Sequence, residues 1–502
     1  GTFKAGYMGA VTLIVINCLR EIIEILQDDM KSLHSCLFVN KLWCHIAVEI
    51  LWKDTWKFCR HYCKNNKESS ILSTLISCFS NDSKNYLISS GIIIKKPTNR
   101  SPLFDYARYC RNLPSLKDMK KLLKQEIYKM FISKCSTFKY LHLRESDILI
   151  PWFPGANTSL SNLVELRCEA QLKSEIFSEL SKFCKSLQKI IIDHCNNDNE
   201  GLANLIENQS NLKFVECSNW DRFDSNEKCF KISKAIIKKK DSIFEFGYGG
   251  GELCLLLNTI SQLSNLETLK FWLNRDSIND IIQELEFAHF KNLKIIYLET
   301  EPLPLEILSN LILNTNYSLR KIYLNYWYVP DPENINNFNQ VISKFCPSLE
   351  FLTTWCFINN TNTAADGDDG RSLNEEENSH DSNNISSSLK NFKQIFQNCK
   401  NLKSILIRGV NEPKIDGDLL FDLLFSTRPK SLNRIKLDGE WKFSINKLCK
   451  FLEYCQLSNI KLWLDVCKMS NDERDFTFEH LKAIQYYNKQ GIIKNEEFFL
   501  NF

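Results

Sequence analysis

One short pattern recurs along most of this 502-residue chain: an apolar residue, two variable residues, an apolar residue, one variable residue, and a third apolar residue. It first appears as Phe138-Leu141-Leu143, Leu163-Leu166-Cys168, Leu187-Ile190-Ile192 and Leu212-Val215-Cys217. It continues as Ile243-Phe246-Tyr248, Leu266-Leu269-Phe271, Leu293-Ile296-Leu298 and Leu319-Ile322-Leu324. Then come Leu349-Leu352-Thr354, Leu402-Ile405-Ile407, Leu432-Ile435-Leu437 and the weaker Leu457-Ile460-Leu462. Successive first members lie mostly 23 to 31 residues apart.

The last two apolar positions alternate with polar ones, as a short strand requires. Helical patterns lie between them, for example residues 174–183 and 305–313. One strand and one helix cannot bury an apolar face alone, but stacked units share a continuous core. The spacing fits the leucine-rich-repeat period of about 20 to 29 residues with small insertions. The expected fold is therefore α/β: a leucine-rich-repeat solenoid over residues 136–466, with a curved parallel sheet and outer helices.

Two features modulate the repeat. The step from Leu349 to Leu402 spans 53 residues, and residues 359–388 within it are rich in Asn, Ser, Asp and Glu. Such a stretch lacks apolar surface to offset its ordering entropy, so it is expected to be a disordered insertion. Cysteine stands three residues ahead of the first apolar position at Cys135, Cys184, Cys346 and Cys399. These cysteines are expected to be small buried residues at helix ends rather than metal ligands. Residues 467–502 are read as a C-terminal cap or tail.

Composition excludes several function classes. There are 63 basic and 60 acidic residues, a formal net charge of +3, which gives no global argument for nucleic-acid or membrane binding. The run Lys238-Lys239-Lys240 is followed at once by Asp241 and reads as a solvated face. The 20 cysteines are scattered singly through apolar segments, unlike a secreted disulfide scaffold. A reducing cytosolic or nuclear setting is the expectation. The apolar run from Ala10 to Ile16 is too short for a membrane helix and lacks a convincing cleavage site. The chain begins with Gly1, and its native start is left open.

No local catalytic motif emerges. Gly247-Tyr248-Gly249-Gly250-Gly251 matches neither dinucleotide nor phosphate-loop spacing and reads as a turn after a strand. Cys59, His61 and Cys63 lack the partner pair of a four-ligand zinc site. The chain is expected to be no enzyme and to need no cofactor or metal.

Ahead of the repeats, residues 14–56 form a compact set of amphipathic helical stretches, followed by a helical spacer over 57–135. Leu33, Cys36, Val39 and Trp43 recur at helical spacing, after Leu19, Ile22 and Ile23 and before Leu51 and Trp52. The run Leu33 to Trp43 resembles the core of an F-box, L-x-x-C-x-x-V-x-x-x-W. The order of F-box, helical spacer and degenerate repeats is similar to that of the lineage-expanded F-box/leucine-rich-repeat proteins of fungi. The Leu-Pro pair that usually opens an F-box is absent; Ile14-Val15-Ile16-Asn17 stands there.

The resemblance implies a substrate-recognition subunit of an SCF-type cullin–RING ubiquitin ligase. The helical module would dock a Skp-type adaptor through Leu19, Ile22, Ile23, Leu33, Cys36, Val39, Trp43, Leu51 and Trp52. The repeats would hold a protein substrate, of unknown identity, and neither nucleic acid nor membrane. In the repeats, variable residues between and after the inward positions face the concave surface. That register nominates Lys270, Trp272, Tyr297, Tyr323, Trp355 and Arg408 for the substrate, alongside Tyr140, His142, Arg167, Lys436 and Trp463. Aromatic and arginine residues are the usual interface anchors. The alternatives are a repeat scaffold outside any ligase, which the missing Leu-Pro favours, and an activator of a small GTPase.

Overall fold

The computed structural model describes residues 14–54, 67–92, 102–113, 116, 119–144, 148–220, 228–274, 278–286, 288–300, 303–326, 329–356, 378–409, 415–439, 441–464 and 477–494. Thirteen strands form one sheet in chain order. They are β1 (Asn112–Leu113), β2 (Tyr140–Leu143), β3 (Glu165–Glu169), β4 (Lys189–Asp193), β5 (Phe214–Asn219) and β6 (Glu245–Gly250). Then follow β7 (Thr268–Leu273), β8 (Ile295–Thr300), β9 (Lys321–Tyr326), β10 (Phe351–Cys356) and β11 (Ser404–Gly409). The series ends with β13 (Arg434–Asp438) and β15 (Lys461–Leu464), while β12 (Ile415–Asp416) and β14 (Trp441–Lys442) pair as a separate ladder.

This is a leucine-rich-repeat solenoid. Each recurrence of the motif lays down one strand, with the second and third apolar residues facing the core. Leu141, Leu166 and Ile190 stand in parallel register, as do Phe246, Leu269, Ile296 and Ile322. All seven are buried, with at most 1 % of their surface exposed. Strand β1 precedes the first recognisable motif; it is two residues long and has no room for the pattern.

The chain divides into two compact units, residues 1–215 with 229–236 and residues 216–228 with 237–502. In the first unit, buried amides wire neighbouring repeats together. Gln209 Nε2 donates to the Cys184 and Leu205 carbonyls, and its Oε1 accepts from the Leu187 N–H. Asn199 Nδ2 donates to the Ala170 and Leu172 carbonyls in the same way. These bonds satisfy carbonyls left open at turns and loop starts, which would otherwise be buried without a partner. In the second unit, buried Glu284 does the corresponding work, its carboxylate accepting from the backbone N–H groups of Thr259, Ile260 and Ser261 at 3.1 Å each.

The repeat cysteines stand at helix ends, as expected. Cys135, Cys184 and Cys346 are the C-cap residues of the preceding helices, and Cys399 directly follows the helix Asn378–Asn398. All four are buried. Burial pushes the thiols of Cys184 and Cys399 up to about 12.

Two expectations need correction. The glycine run is not a turn: Gly247, Gly249 and Gly250 belong to strand β6. The expected insertion lies outside the described residues up to 377, but from Asn378 the chain is helical. That helix is anchored by Phe392, Ile395 and Phe396, all buried, and so extends back into polar sequence. The cluster Cys59, His61 and Cys63 lies outside the described residues. No described helix is long and apolar enough to cross a membrane.

The N-terminal module has three helices: α1 over residues 14–24, α2 (Met30–Cys36) and α3 (Lys41–Lys53). Asp29 caps α2 by accepting from Lys31 and Ser32 N–H groups, and Asn40 caps α3 by accepting from Trp43 N–H. Such caps satisfy open donors of the first turn, which is why the helices start there. The core of the module is Ile23, Leu33, Ile46 and Ile50, with Ile16, Leu19, Leu26, Trp43 and Leu51 packed partly against it. Arg20 pairs with Glu49 at 2.8 Å and ties α1 to α3.

Candidate functional site

The open side of the sheet in the second unit carries the richest surface. Alternation along the strands puts two rows of side chains on this side. One row runs in register through Gly247, Lys270, Tyr297 and Tyr323. The next runs through Gly249, Trp272, Glu299 and Asn325.

The aromatic residues of successive repeats meet in one tilted and two stacked pairs. Trp272 and Tyr297 have ring centroids 5.8 Å apart and planes tilted by 50°. Tyr297 stacks on Tyr323, and Tyr323 on Phe351, with centroids 4.6 and 6.2 Å apart. Trp272, Tyr297 and Tyr323 are each half-buried. Partial burial, followed by the hydrogen bond to Glu299, raises the Tyr297 hydroxyl well above the usual phenol range. Burial raises Tyr323 as well.

Glycines in β6 shape the edge of this surface. A β-carbon at position 247 would lie 3.2 Å from Cζ3 of Trp272 and 3.1 Å from Cγ of Glu216. One at position 249 would lie 3.2 Å from Cζ2 of Trp220. The missing side chains let both indoles lie against the strand. Trp220 is 55 % exposed, and the motif register does not reach it because it follows the end of β5.

A polar chain runs beside the rings. Arg408 Nη2 donates to Asn325 Oδ1 at 2.7 Å, and Asn325 Nδ2 donates to Glu299 Oε1 at 3.5 Å. The Tyr297 hydroxyl donates to Glu299 Oε2 at 2.6 Å. Arg408 Nη1 also donates to the Tyr326 carbonyl at 3.0 Å, and its Nε lies 3.5 Å from Asp438. Its side chain is 15 % exposed, so Arg408 positions its neighbours instead of offering an open contact. Lys270 lies on the expected side but pairs with Glu245 at 2.7 Å. Its charge is therefore drawn toward β6 and away from β8.

Trp355 departs from the expectation. It is 1 % exposed and cannot anchor a partner. The register of β9 with β10 covers Lys321–Phe351 and Ile322–Leu352, and beyond it the Trp355 ring packs on Tyr326, 5.3 Å between centroids. Every residue of β10 is buried, so strict alternation of faces fails there. Lys436 and Trp463 are half-buried and in register. In the first unit Tyr140 and His142 are half-buried, and Arg167 pairs with Asp193 through Nε and Nη2.

The N-terminal module sorts its nominated residues into two groups. Ile23, Leu33 and Cys36 are interior, at 0, 0 and 5 % exposed. They close the helical bundle on itself and have no surface for a partner. Leu19, Trp43 and Leu51 lean on that core. Trp52 packs against Tyr106, with ring centroids 4.6 Å apart, in the same unit. Ile22 and Val39 are exposed, each at 56 %. Sequence spacing missed the more open residues beside them, Ile25 at 80 % and Phe38 at 78 %, and the less exposed Leu42 and Met30. Ile14, Cys18 and Ile22 follow at steps of four, which puts them on one side of α1, and Ile25 comes directly after its last residue. That exposed stripe opposite the core was the available signal.

No protein-family model and no curated protein matches this chain. Among solved structures it is similar to a complex of Rad7 and Elc1 from yeast. That similarity has a TM-score of 0.38 and 14 % identity, covering 83 % of this chain and 93 % of the other. A mouse RP105/MD-1 complex is similar with a TM-score of 0.27 and 10 % identity, covering 77 % and 73 %.

Proposed function

We propose that this chain is a non-catalytic recruiting subunit: its N-terminal helices dock an adaptor and its repeat sheet holds a second protein. The observation that carries this reading is the sorting of the N-terminal module. Its core is closed by Ile23, Leu33, Ile46 and Ile50, yet Ile22, Ile25, Phe38 and Val39 remain in water. Large apolar side chains left exposed in this number are costly for an isolated domain and suit a protein interface. The L-x-x-C-x-x-V-x-x-x-W resemblance makes the partner a Skp-type adaptor and, through it, a cullin–RING ubiquitin ligase. The aromatic row Trp272, Tyr297 and Tyr323 would then hold the substrate by proximity to the ligase, in the cytosol or nucleus, with no catalytic group of its own.

The full chain mixed with a purified Skp-type adaptor tests this. Co-elution is expected from the parent and from Trp272→Ala, and its loss from Ile22→Asp combined with Val39→Asp. A folded double variant that still co-elutes overturns the docking surface. A parent that never co-elutes removes the ligase and leaves a repeat scaffold, the alternative that Ile14-Val15-Ile16-Asn17 in place of Leu-Pro favours.

A further inference from the structure

The open sheet of the second unit holds a carboxylate with unusual company. Most acidic groups on the strands sit beside a cation: Glu165 with Lys189, Asp193 with Arg167, Glu245 with Lys270, and Asp438 with Arg408. Glu299 takes hydrogen bonds from Tyr297 and Asn325, both neutral, and no cation pairs with it among the described residues. It is half-buried between Trp272 and Asn325 in the parallel register, in the row next to that of Tyr297 and Tyr323.

Its geometry is held before any partner arrives. Arg408 fixes Asn325, Asn325 and Tyr297 fix the carboxylate, and Tyr323 stacks behind Tyr297. On the other side, the half-buried rings of Trp272 and Tyr297 lie 5.8 Å apart with their planes tilted by 50°. The faces of aromatic rings are electron-rich and attract cations, most strongly for indole. A fixed carboxylate next to two such faces complements a positive group and repels a negative one. The nearby ammonium of Lys270 is paired with Glu245, on the β6 side.

We propose that Trp272, Tyr297 and Glu299 receive one arginine or lysine side chain from the protein that the repeats hold. This rests on the reading of the open sheet as the protein-binding face and names the feature that face selects. The cation would lie across the Trp272 ring with its donors on Glu299. Arg408 and Asn325 are positioning residues that keep the carboxylate aimed.

The probe is a library of random peptides, roughly twelve residues long to span several repeats, displayed on phage. It is panned on the immobilised full chain and counter-selected on Trp272→Ala. Urea unfolding midpoints confirm that the Trp272→Ala and Glu299→Gln chains fold like the parent. The expected winners share an Arg or Lys. Replacing that residue with Gln, or Glu299 with Gln, should weaken binding roughly tenfold. The two changes combined should cost little more than either alone, because they remove the same contact.

Winners that need Trp272 but share no cation, or keep their affinity for Glu299→Gln, overturn the cation site while the protein-binding face stands. A selection that yields no Trp272-dependent peptide overturns both.

Discussion

The ring of Tyr297 lies flat on that of Tyr323, with centroids 4.6 Å apart and planes within 10° of parallel. The two residues belong to neighbouring repeats 26 positions apart and face each other because β8 and β9 pair in register. Stacking of this kind adds about 0.5–1.5 kcal/mol beyond area burial. It also stiffens a surface that would otherwise lose side-chain freedom when a partner binds.

Tyr323→Ala should therefore cost little stability, about 0.5–1.5 kcal/mol, and substantial affinity for any protein bound on this side. Ile322→Ala, its neighbour on the core side at 1 % exposed, should cost about 2–5 kcal/mol in a urea titration. Equal losses for the two variants would mean that the tyrosine is structural.

In the N-terminal module, Leu33→Ala opens a cavity in the core and should cost about 2–5 kcal/mol. Hydrogen exchange of residues 14–54 would report it as lost protection. Phe38→Ala, at a site 78 % exposed, should change stability by no more than about 0.5 kcal/mol while weakening adaptor binding. A Phe38→Ala chain that unfolds the module would place that ring in the fold after all.

Arg408→Met keeps the stem and removes three polar contacts. The Tyr326 carbonyl and Asn325 Oδ1 lose their donor, and Asp438 loses a neighbouring cation. A loss of about 1–3 kcal/mol is expected. Mobility of Asn325 and Glu299 should rise, visible as altered side-chain amide resonances of Asn325.

Glu284 makes stability depend on pH. Burial outweighs three backbone hydrogen bonds and raises its carboxyl above the ordinary range. The folded chain therefore holds this proton to higher pH than the unfolded chain does. Its contribution to stability is fully present below the ordinary carboxylate value and falls as pH rises through the raised one. Glu284→Gln should abolish that slope in unfolding titrations carried upward from the ordinary carboxylate range. It should also lower stability at acid pH by about 1–3 kcal/mol, since the amide nitrogen faces a backbone donor. An unchanged slope would move the titration to another group.

Cys184 and Cys399, with thiols pushed up to about 12, remain protonated near neutral pH and buried. They should resist alkylation in the folded chain, whereas exposed Cys18 should react. Mass mapping after brief iodoacetamide treatment checks this, and prompt labelling of Cys184 would contradict its buried placement.

The repeat architecture was legible because it is local and periodic. Leu269, Ile296 and Ile322 recur at strand spacing, and a parallel sheet of stacked units is the arrangement in which such residues bury one another. The same register nominated Trp272, Tyr297 and Tyr323, and it brings those three together. Periodicity could not say how far a side is covered. Trp355 stands at a position that alternation assigns to the open side yet is buried, its ring packed on Tyr326 beyond the paired stretch of β9 and β10. Leu33 and Phe38 are both apolar and five residues apart, but only helix packing decides that one closes the core and the other stays in water.

What the sequence determined by itself is the repeat, its strands, the buried cysteines at helix ends and the helical character of residues 14–54. All of these follow from spacing within a few tens of residues. The tertiary structure alone decided which exposed positions are open, that Arg408 serves Asn325 and Tyr326, and that Glu299 sits among neutral donors beside Trp272. Those relations join residues as many as 83 positions apart, and they depend on the side chains with which neighbouring strands surround each group.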